Sequence, residues 1–434
     1  MKGKIFISFF PVIALLLVFF GCGVNAENNI DDYDDTVILH TKWQFPVGVA
    51  VPGAKTTNTP NDNALKADNP QHALLKHFNV VVAENEMKPG NILPSNKPSK
   101  EPKDWSHDDP FFTWSSADEL VNYAKENSKK IRGHTLIWHD QTPDWFFKSS
   151  SSSGRATINE LYARMEHYIR VVFQKYGNDI KWWDVVNEAV DHDASGPRKD
   201  SRGRYTEIMT DAGKTGMDRY EYILKAFQWA RQYADSNSGS DVELYLTDFG
   251  VERPFTRGGS TKQADFKELV EWLIEKEAPI DGVGFQGHFR LYDHPVDKNS
   301  CLTCIDKTTC NHDISSGIDL FSSIEISSGK KIKIQICELD ISIFSNAKDE
   351  ASSTSISNSN LPTRLSDLAQ TYLDFFEMFE EKFDEGKLDM VVLWGIADGH
   401  SWLNNHPVSG RRDHPLLFNR KYRAKEAYLK LVDR

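Results

Sequence analysis

Two glutamates stand out by where they sit. The run Trp182-Trp183-Asp184-Val185-Val186-Asn187-Glu188 is apolar until an amide and a carboxylate close it, and Ile334-Gln335-Ile336-Cys337-Glu338-Leu339-Asp340 repeats the pattern 150 residues later. An acid at the end of a buried strand is costly unless it is paired, hydrogen-bonded or open to a cleft. Two such acids converging on one cleft are the machinery of glycoside cleavage. One carboxylic acid protonates the leaving oxygen, and one carboxylate attacks the sugar or activates water. Their separation decides the stereochemistry, about 5–5.5 Å for retention and roughly 6.5–9.5 Å for inversion. Either Glu alone reads equally well as a solvated strand-end acid.

The other strand ends are polar and aromatic too. They read Ala83-Glu84-Asn85-Glu86-Met87-Lys88, then Arg132-Gly133-His134-Thr135-Leu136-Ile137-Trp138-His139 with Gln141 just beyond. Later come Gly284-Phe285-Gln286-Gly287-His288-Phe289 and Leu393-Trp394-Gly395-Ile396-Ala397-Asp398, with Trp402 following. Indole faces stack on the C–H faces of a sugar while amide and acid edges bond its hydroxyls. An acidic, Trp-lined cleft suits a neutral polysaccharide better than an anionic one.

Eight strand-like runs can carry these ends: Phe45–Val51, Asn79–Met87, Lys130–Trp138, Ile180–Val190, Glu243–Val251, Ile280–Phe289, Lys331–Ile341 and Leu388–Trp394. Helical periodicity lies between them, as in Leu161, Met165, Ile169 and Phe173, or Phe266, Leu269, Leu273 and Ile274. Further helices are expected at Ala117–Asn127, Tyr220–Tyr233, Ile318–Ser327, Arg364–Phe383 and Lys425–Val432. Eight strand–helix repeats predict an α/β fold, a (β/α)8 TIM barrel forming a single catalytic domain. At about 49 residues per unit, against about 31 in a minimal barrel, the surplus must lie in enlarged strand-to-helix loops. The candidates are Asn91–Asp109, Ser149–Ser153, Asp293–Asp313 and Ser352–Asn360, which would frame a site at the barrel's carboxyl end. A doubly wound sheet is the alternative, but Phe45–Pro52 lacks the Gly-rich phosphate turn it would want.

The chain has 434 residues, a formal net charge of -12, five Cys and eleven Trp. Its acidity argues against nucleic acid as a partner, because phosphate neutralisation needs clustered Lys and Arg. Five Cys are too sparse for a disulfide scaffold. Lys2 and Lys4 before the apolar run Ile5–Phe20 read as an export signal over residues 1–22. Two endings compete: Val24-Asn25-Ala26 resembles a cleavage site, and Phe19-Phe20-Gly21-Cys22 resembles a bacterial lipobox in which Cys22 is lipidated. Residues 23–42 read as an acidic tether and 43–434 as the catalytic domain. Residues 1–35 carry a net -3, so -9 stays with the remainder. The expectation is an exported protein, secreted or held at the cell surface, monomeric, and touching a membrane only through a lipid at Cys22. Cys301, Cys304, Cys310 and His312 crowd one loop, where a disulfide, a zinc knuckle and free thiols all remain open. Cys337 reads as an inert core thiol.

From Phe45 to the C-terminus the chain resembles the family 10 glycoside hydrolases, endo-1,4-β-xylanases built on the (β/α)8 barrel. The resemblance rests on Glu84–Lys88, Gly133–Leu136 with Trp138-His139, Trp183–Glu188, Gly284–Gln286 with His288, Glu338–Asp340, and Trp394-Gly395 in that order. It implies hydrolysis of internal xylan bonds by double displacement with retention, and no cofactor. Glu188 would be the acid/base and Glu338 the nucleophile. His288 would partner Glu338 and be oriented by Asp340, Gln286 would hold the acid/base, and Asn187 would bind the sugar 2-hydroxyl. Glu84, Asn85, Lys88 and Gln141 would contact sugar hydroxyls, His134 and Trp138 would wall the subsite at the cut, and Trp394 and Trp402 would close over it. Trp182 and Trp229 are expected in the core, and Glu86 reads equally as a structural partner. Departures from the family pattern are Thr247-Asp248-Phe249-Gly250 where Asn-Asp-Tyr-Asn is usual, Cys337 for Thr, and a His inserted in Asp398–Trp402. A cellulase or mannanase on a related barrel, or a non-catalytic glycan-binding protein, are the competing readings.

Overall fold

Strands rich in Val and Ile with little polar alternation need cover on both faces, and here they find it by closing on themselves. The computed structural model describes residues 36–54, 63–191, 204–237, 241–253, 256–257, 260–291, 314–327, 329–344 and 352–434. The barrel strands are β1 (Val47–Val51), β2 (Val80–Ala83), β3 (Lys130–Gly133), β4 (Trp182–Asn187), β5 (Glu243–Asp248), β6 (Gly282–Phe285), β7 (Lys333–Ser342) and β8 (Met390–Leu393). Each pairs in parallel with the next. The last returns to the first, with Val47 opposite Val391 and Val49 opposite Leu393. Ring closure excludes the doubly wound sheet, whose edges stay open.

Helices follow the strands: α1 (Pro70–Leu74), α2 (Ser115–Glu126), α3 (Ile158–Tyr176), α4 (Glu221–Asn237), α5 (Lys262–Glu275), α6 (Ile314–Ser322), α7 (Leu361–Asp384) and α8 (Glu426–Val432). In α3, Thr157 and Glu160 form a reciprocal capping box, and Leu161, Met165, Ile169 and Phe173 face the barrel as their spacing predicts. The interior is a separate cluster of Ala50, Val80, Val82, Trp182, Tyr245, Met390, Val392 and Trp394. Trp182 therefore belongs to the core, as expected, and Trp229 packs on the outer layer edge-on to Tyr162. At Gly133 a Cβ would come within 2.3 Å of the Trp183 ring, so only glycine lets β3 and β4 approach there.

Two expectations shift. The folded body begins before residue 43: Leu39 is buried in a short 3-10 turn, Trp43 Nε1 donates to Leu431 O at 3.1 Å, and Tyr428 Oη donates to Val37 O. Apolar Ile38 and Leu39 end the acidic run and dock on α8. The helix expected over Ile318–Ser327 stops at Ser322, and Glu325–Ser327 pairs antiparallel with Lys330–Lys331 around Gly329 at φ +84°. Beyond these, β4 slips register between Asp184 and Val186, and β7 between Ile336 and Leu339. A local irregularity re-aims the side chains that follow it, and each of these sits just before or on a candidate glutamate. The Asn91–Asp109 loop is ordered by Asp109, which accepts from Lys100 Nζ at 2.7 Å and from Ser106 N at 2.7 Å.

Candidate active site

Glu338 sits on β7 within the register slip, buried at the carboxyl end of the barrel. His288 Nε2 lies 3.2 Å from its Oε2, and His288 Nδ1 lies 2.9 Å from Asp340 Oδ1. Asp340 in turn accepts the indole N–H of Trp402 at 2.7 Å. Burial pushes the Glu338 carboxyl up, but the His288 hydrogen bond and the charges of His134, His288 and Lys88 outweigh it and hold the acid below its ordinary value. For His288, burial acts downward and is overcome by Asp340 and then Glu338, which raise it to about 10. At neutral pH an imidazolium thus stands between two carboxylates, donating to both. That arrangement keeps Glu338 ionised.

Glu188 closes β4 in the left-handed region at φ +56°, a backbone state that costs a non-glycine residue about 1–3 kcal/mol and persists where neighbours impose it. Its N–H donates to Thr247 O at 2.8 Å. Its Oε1 accepts from Gln286 Nε2 at 3.0 Å, with Asn187 Nδ2 at 3.4 Å. Burial raises the Glu188 carboxyl, the charges of Asp248 and Glu338 raise it further, and the Gln286 hydrogen bond and Lys262 only partly oppose them. The two glutamates are therefore driven apart, one toward the acid and one toward the anion, which is the pattern that separates an acid from a nucleophile. Gln286 links them: its side chain donates to Glu188 while its carbonyl accepts Glu338 N at 2.8 Å.

The departure at 247 keeps a donor in place, since Thr247 Oγ1 reaches Asn187 Oδ1 at 2.9 Å, with Gln286 Nε2 at 3.3 Å from the same oxygen. Gly250 adopts φ +66°, a state glycine takes without strain, so the Asn that is usual there is replaceable for backbone reasons. Cys337 is a buried thiol, free, with Sγ 3.3 Å from Phe285 O, and burial pushes it well above its ordinary value.

Several of the expected wall residues lie close to one another. Lys88 Nζ donates to Asn85 Oδ1 at 2.9 Å and stands 5.0 Å over the Trp138 ring and 5.8 Å over Trp394. Gln141 Nε2 reaches Asn85 Oδ1 at 3.4 Å. Burial carries Glu84 up to about 8; Lys88 opposes that rise, and Glu86 and Glu338 add to it. Glu86 turns inward, accepting Asn85 N at 3.1 Å, and a Cβ at Gly53 would meet its carboxyl at 2.7 Å. Its place is structural. His134 lies edge-on to Trp394 with centroids 5.3 Å apart, and Trp402 edge-on to His288 at 4.9 Å.

Sequence reasoning missed the layer beneath. Arg132 and Asp184 form a buried bidentate pair; Arg132 Nε also donates to Gln335 Oε1 at 3.0 Å, and Asp184 holds His134 Nδ1 at 2.8 Å. The signal was available: on a strand closed by a functional residue, a charge two or four places back along an apolar run points into the barrel. Asp248 and Lys262, paired at 2.6 Å, were also missed. Cys22, Cys301, Cys304, Cys310 and His312 lie outside the described residues.

Comparison with known proteins agrees with this fold. The family described as Glycosyl hydrolase family 10 matches residues 40–434, and the chain belongs to it. Endo-1,4-beta-xylanase C of Paenibacillus barcinonensis is 36% identical over 377 residues, covering 86% of this chain but 30% of that protein. The Thermostable celloxylanase of Thermoclostridium stercorarium is 33% identical over 438 residues, 97% of this chain and 94% of that one. A solved structure of GH10 from Paenibacillus barcinonensis superposes with a TM-score of 0.71 at 34% identity, covering 92% of this chain and 97% of the other.

Proposed function

We propose that this chain is a retaining endo-1,4-β-xylanase in which Glu338 attacks the anomeric carbon and Glu188 serves first as acid, then as base. The observation that carries the roles is the opposite bias of two neighbouring carboxyls, Glu338 held down by His288 and Glu188 held up by burial and Asp248. In the first step Glu338 forms a glycosyl ester as the C–O bond breaks, and the Glu188 proton passes to the departing hydroxyl. In the second, Glu188 takes a proton from water, which attacks the same carbon and releases Glu338. Family 10 is a retaining family, and the relatives named above are called an endo-1,4-beta-xylanase and a celloxylanase, which supports xylan as the substrate. Asn187, with its carbonyl already occupied by Thr247 and Gln286, keeps its amide for Glu188 and the sugar. Glu84, Asn85, Lys88 and Gln141 bind hydroxyls on one side of the cut, and His134, Trp138, Trp394 and Trp402 shape the sugar pocket.

The test is reducing-sugar release from xylan, cellulose and mannan by wild type and Glu338→Ala. Loss of xylan cleavage in the variant is expected, and retained cleavage would overturn the assignment. Glu188→Ala should cripple xylan far more than aryl xylosides, whose leaving groups need little protonation. Equal losses would count against the acid. We also infer export by the residue 1–22 signal with lipidation at Cys22, as a monomer. Cys22→Ser should move the protein from the membrane fraction to the soluble one, and an unchanged distribution rejects the anchor.

A further inference from the structure

Lys262 is the first residue of α5, behind the Thr261 cap, and it is buried. A cation at a helix N-terminus opposes the helix dipole, and a buried ammonium is costly unless paired. Two neighbours offset both costs. Asp248, fully buried at the end of β5, accepts Lys262 Nζ on Oδ1 at 2.6 Å, and the Phe249 ring lies under the same nitrogen at 3.3 Å from its centroid. Phe249 stands where the family has Tyr, so the ring survives the departure and the phenol does not. The other oxygen of Asp248 crosses to the neighbouring strand end: Oδ2 accepts Val190 N at 3.1 Å, two residues past Glu188.

We propose that Lys262 and Asp248 are a positioning pair for the acid/base, Asp248 pinning the turn that carries Glu188 and Lys262 cancelling the charge this places beside it. The inference rests on Glu188 being the acid. The geometry gives Asp248 two separable duties. Its hydrogen bond to Val190 helps hold Glu188 in its left-handed conformation, and its charge disfavours the Glu188 anion, which Lys262 counters. Other groups bearing on Glu188 are Glu338 from β7, Lys88 from the loop after β2, the neutral Gln286 from β6, and His139, Tyr205 and Tyr222 lining the hollow beside it.

The experiment is the basic limb of kcat/KM against pH on xylo-oligosaccharides, where activity is lost as the free enzyme's acid ionises. Lys262→Met leaves Asp248 uncompensated, so that limb moves to higher pH by about half a unit or more. Asp248→Asn keeps an acceptor for Val190 but leaves Lys262 alone, so the limb moves to lower pH by a similar amount. Joining both substitutions restores the limb to near its wild-type position, and Lys262→Arg, which keeps the charge, leaves it in place. Shifts of opposite sign in the two single variants support the pairing. Lower activity in both with an unmoved limb, or shifts in one direction, overturns it. Should either single variant fail to fold, the double variant and Lys262→Arg still decide, because a limb displaced in both contradicts the charge argument. Glu188→Ala on aryl xylosides separates this from the parent reading. If that variant loses both substrate types equally, the acid is misassigned; if it behaves as an acid while the limbs stay fixed, only the Lys262–Asp248 inference falls.

Discussion

At the scale of single residues, the chemistry was legible as residue type and illegible as charge state. Glu188 and Glu338 announced themselves as carboxylates ending apolar runs, but nothing along the chain told which is held protonated. That depends on His288, fifty residues away in sequence and 3.2 Å away in space, and on Asp248 and Lys262. His288 has a folded value of about 10 against an ordinary 6.5, so its charged form is favoured by folding. The resulting stability is fully present below pH 6.5 and is lost as pH rises through 10. A Tm series across that window should fall for wild type, and His288→Asn should remove that part of the fall. Glu84 gives a second, lower window. Raised from 4.5 to about 8, it disfavours folding progressively as pH climbs between those values, so Glu84→Gln should flatten Tm most below pH 6.5, where His288 does not contribute, and leave the fall above pH 8 unchanged. A His288→Asn profile that parallels wild type would show that the imidazolium is not held between the carboxylates. The same variant should slow glycosylation by about 100-fold, since Glu338 then lacks the partner that keeps it ionised.

At the scale of elements, the eight strands were legible as apolar runs buried on both faces, and most of the helices by a periodicity that buries one face, although the short helix Pro70–Leu74 was not foreseen. What such patterns could not supply were the two register slips. Strands such as Trp182–Val186 and Ile334–Cys337, apolar but for Asp184 and Gln335, carry too little alternation for its break to mark a bulge. The Glu325–Lys331 hairpin was masked for a related reason, since Ile318, Phe321, Ile324 and Ile326 can be threaded on a helix until Gly329 requires a turn. The segment after β8 is likewise more than a lid of aromatic surface. Asp398 anchors its base, accepting Leu416 N at 2.9 Å and Lys425 Nζ at 3.1 Å, and Trp402 at its far end bonds Asp340. The segment is thereby wired to the nucleophile through Asp340 and His288. Trp402→Phe retains a ring against His288 but leaves Asp340 Oδ2 without its donor, a loss of about 1–3 kcal/mol for a buried acceptor. It should lower kcat/KM on an activated aryl xyloside about tenfold or more, beyond any effect on KM for longer chains. An unaltered aryl xyloside rate would reduce Trp402 to a binding platform.

At the scale of the whole molecule, counting repeats was enough to predict closure, but what fills a closed barrel beneath its mouth was not foreseen. Among the apolar side chains of the interior stand Arg132 and Asp184, both fully buried, with Gln335 completing the span from β3 through β4 to β7. This group joins stability to function, because the carboxylate that neutralises Arg132 also fixes His134 at 2.8 Å, and His134 bears on Glu338 from 3.9 Å. Removing one member of a buried pair costs about 3–5 kcal/mol, whereas replacing both by apolar groups of similar volume is often close to neutral. Arg132→Met should therefore destabilise the barrel by that amount in urea unfolding, and Arg132→Met with Asp184→Leu should recover most of the loss. Activity should not follow stability. In the double variant His134 has lost its orienting carboxylate, so xylan hydrolysis stays low although the fold is restored. A double variant that regains both would mean that Asp184 serves the barrel alone and that His134 finds its place by packing against Trp394 and Trp138.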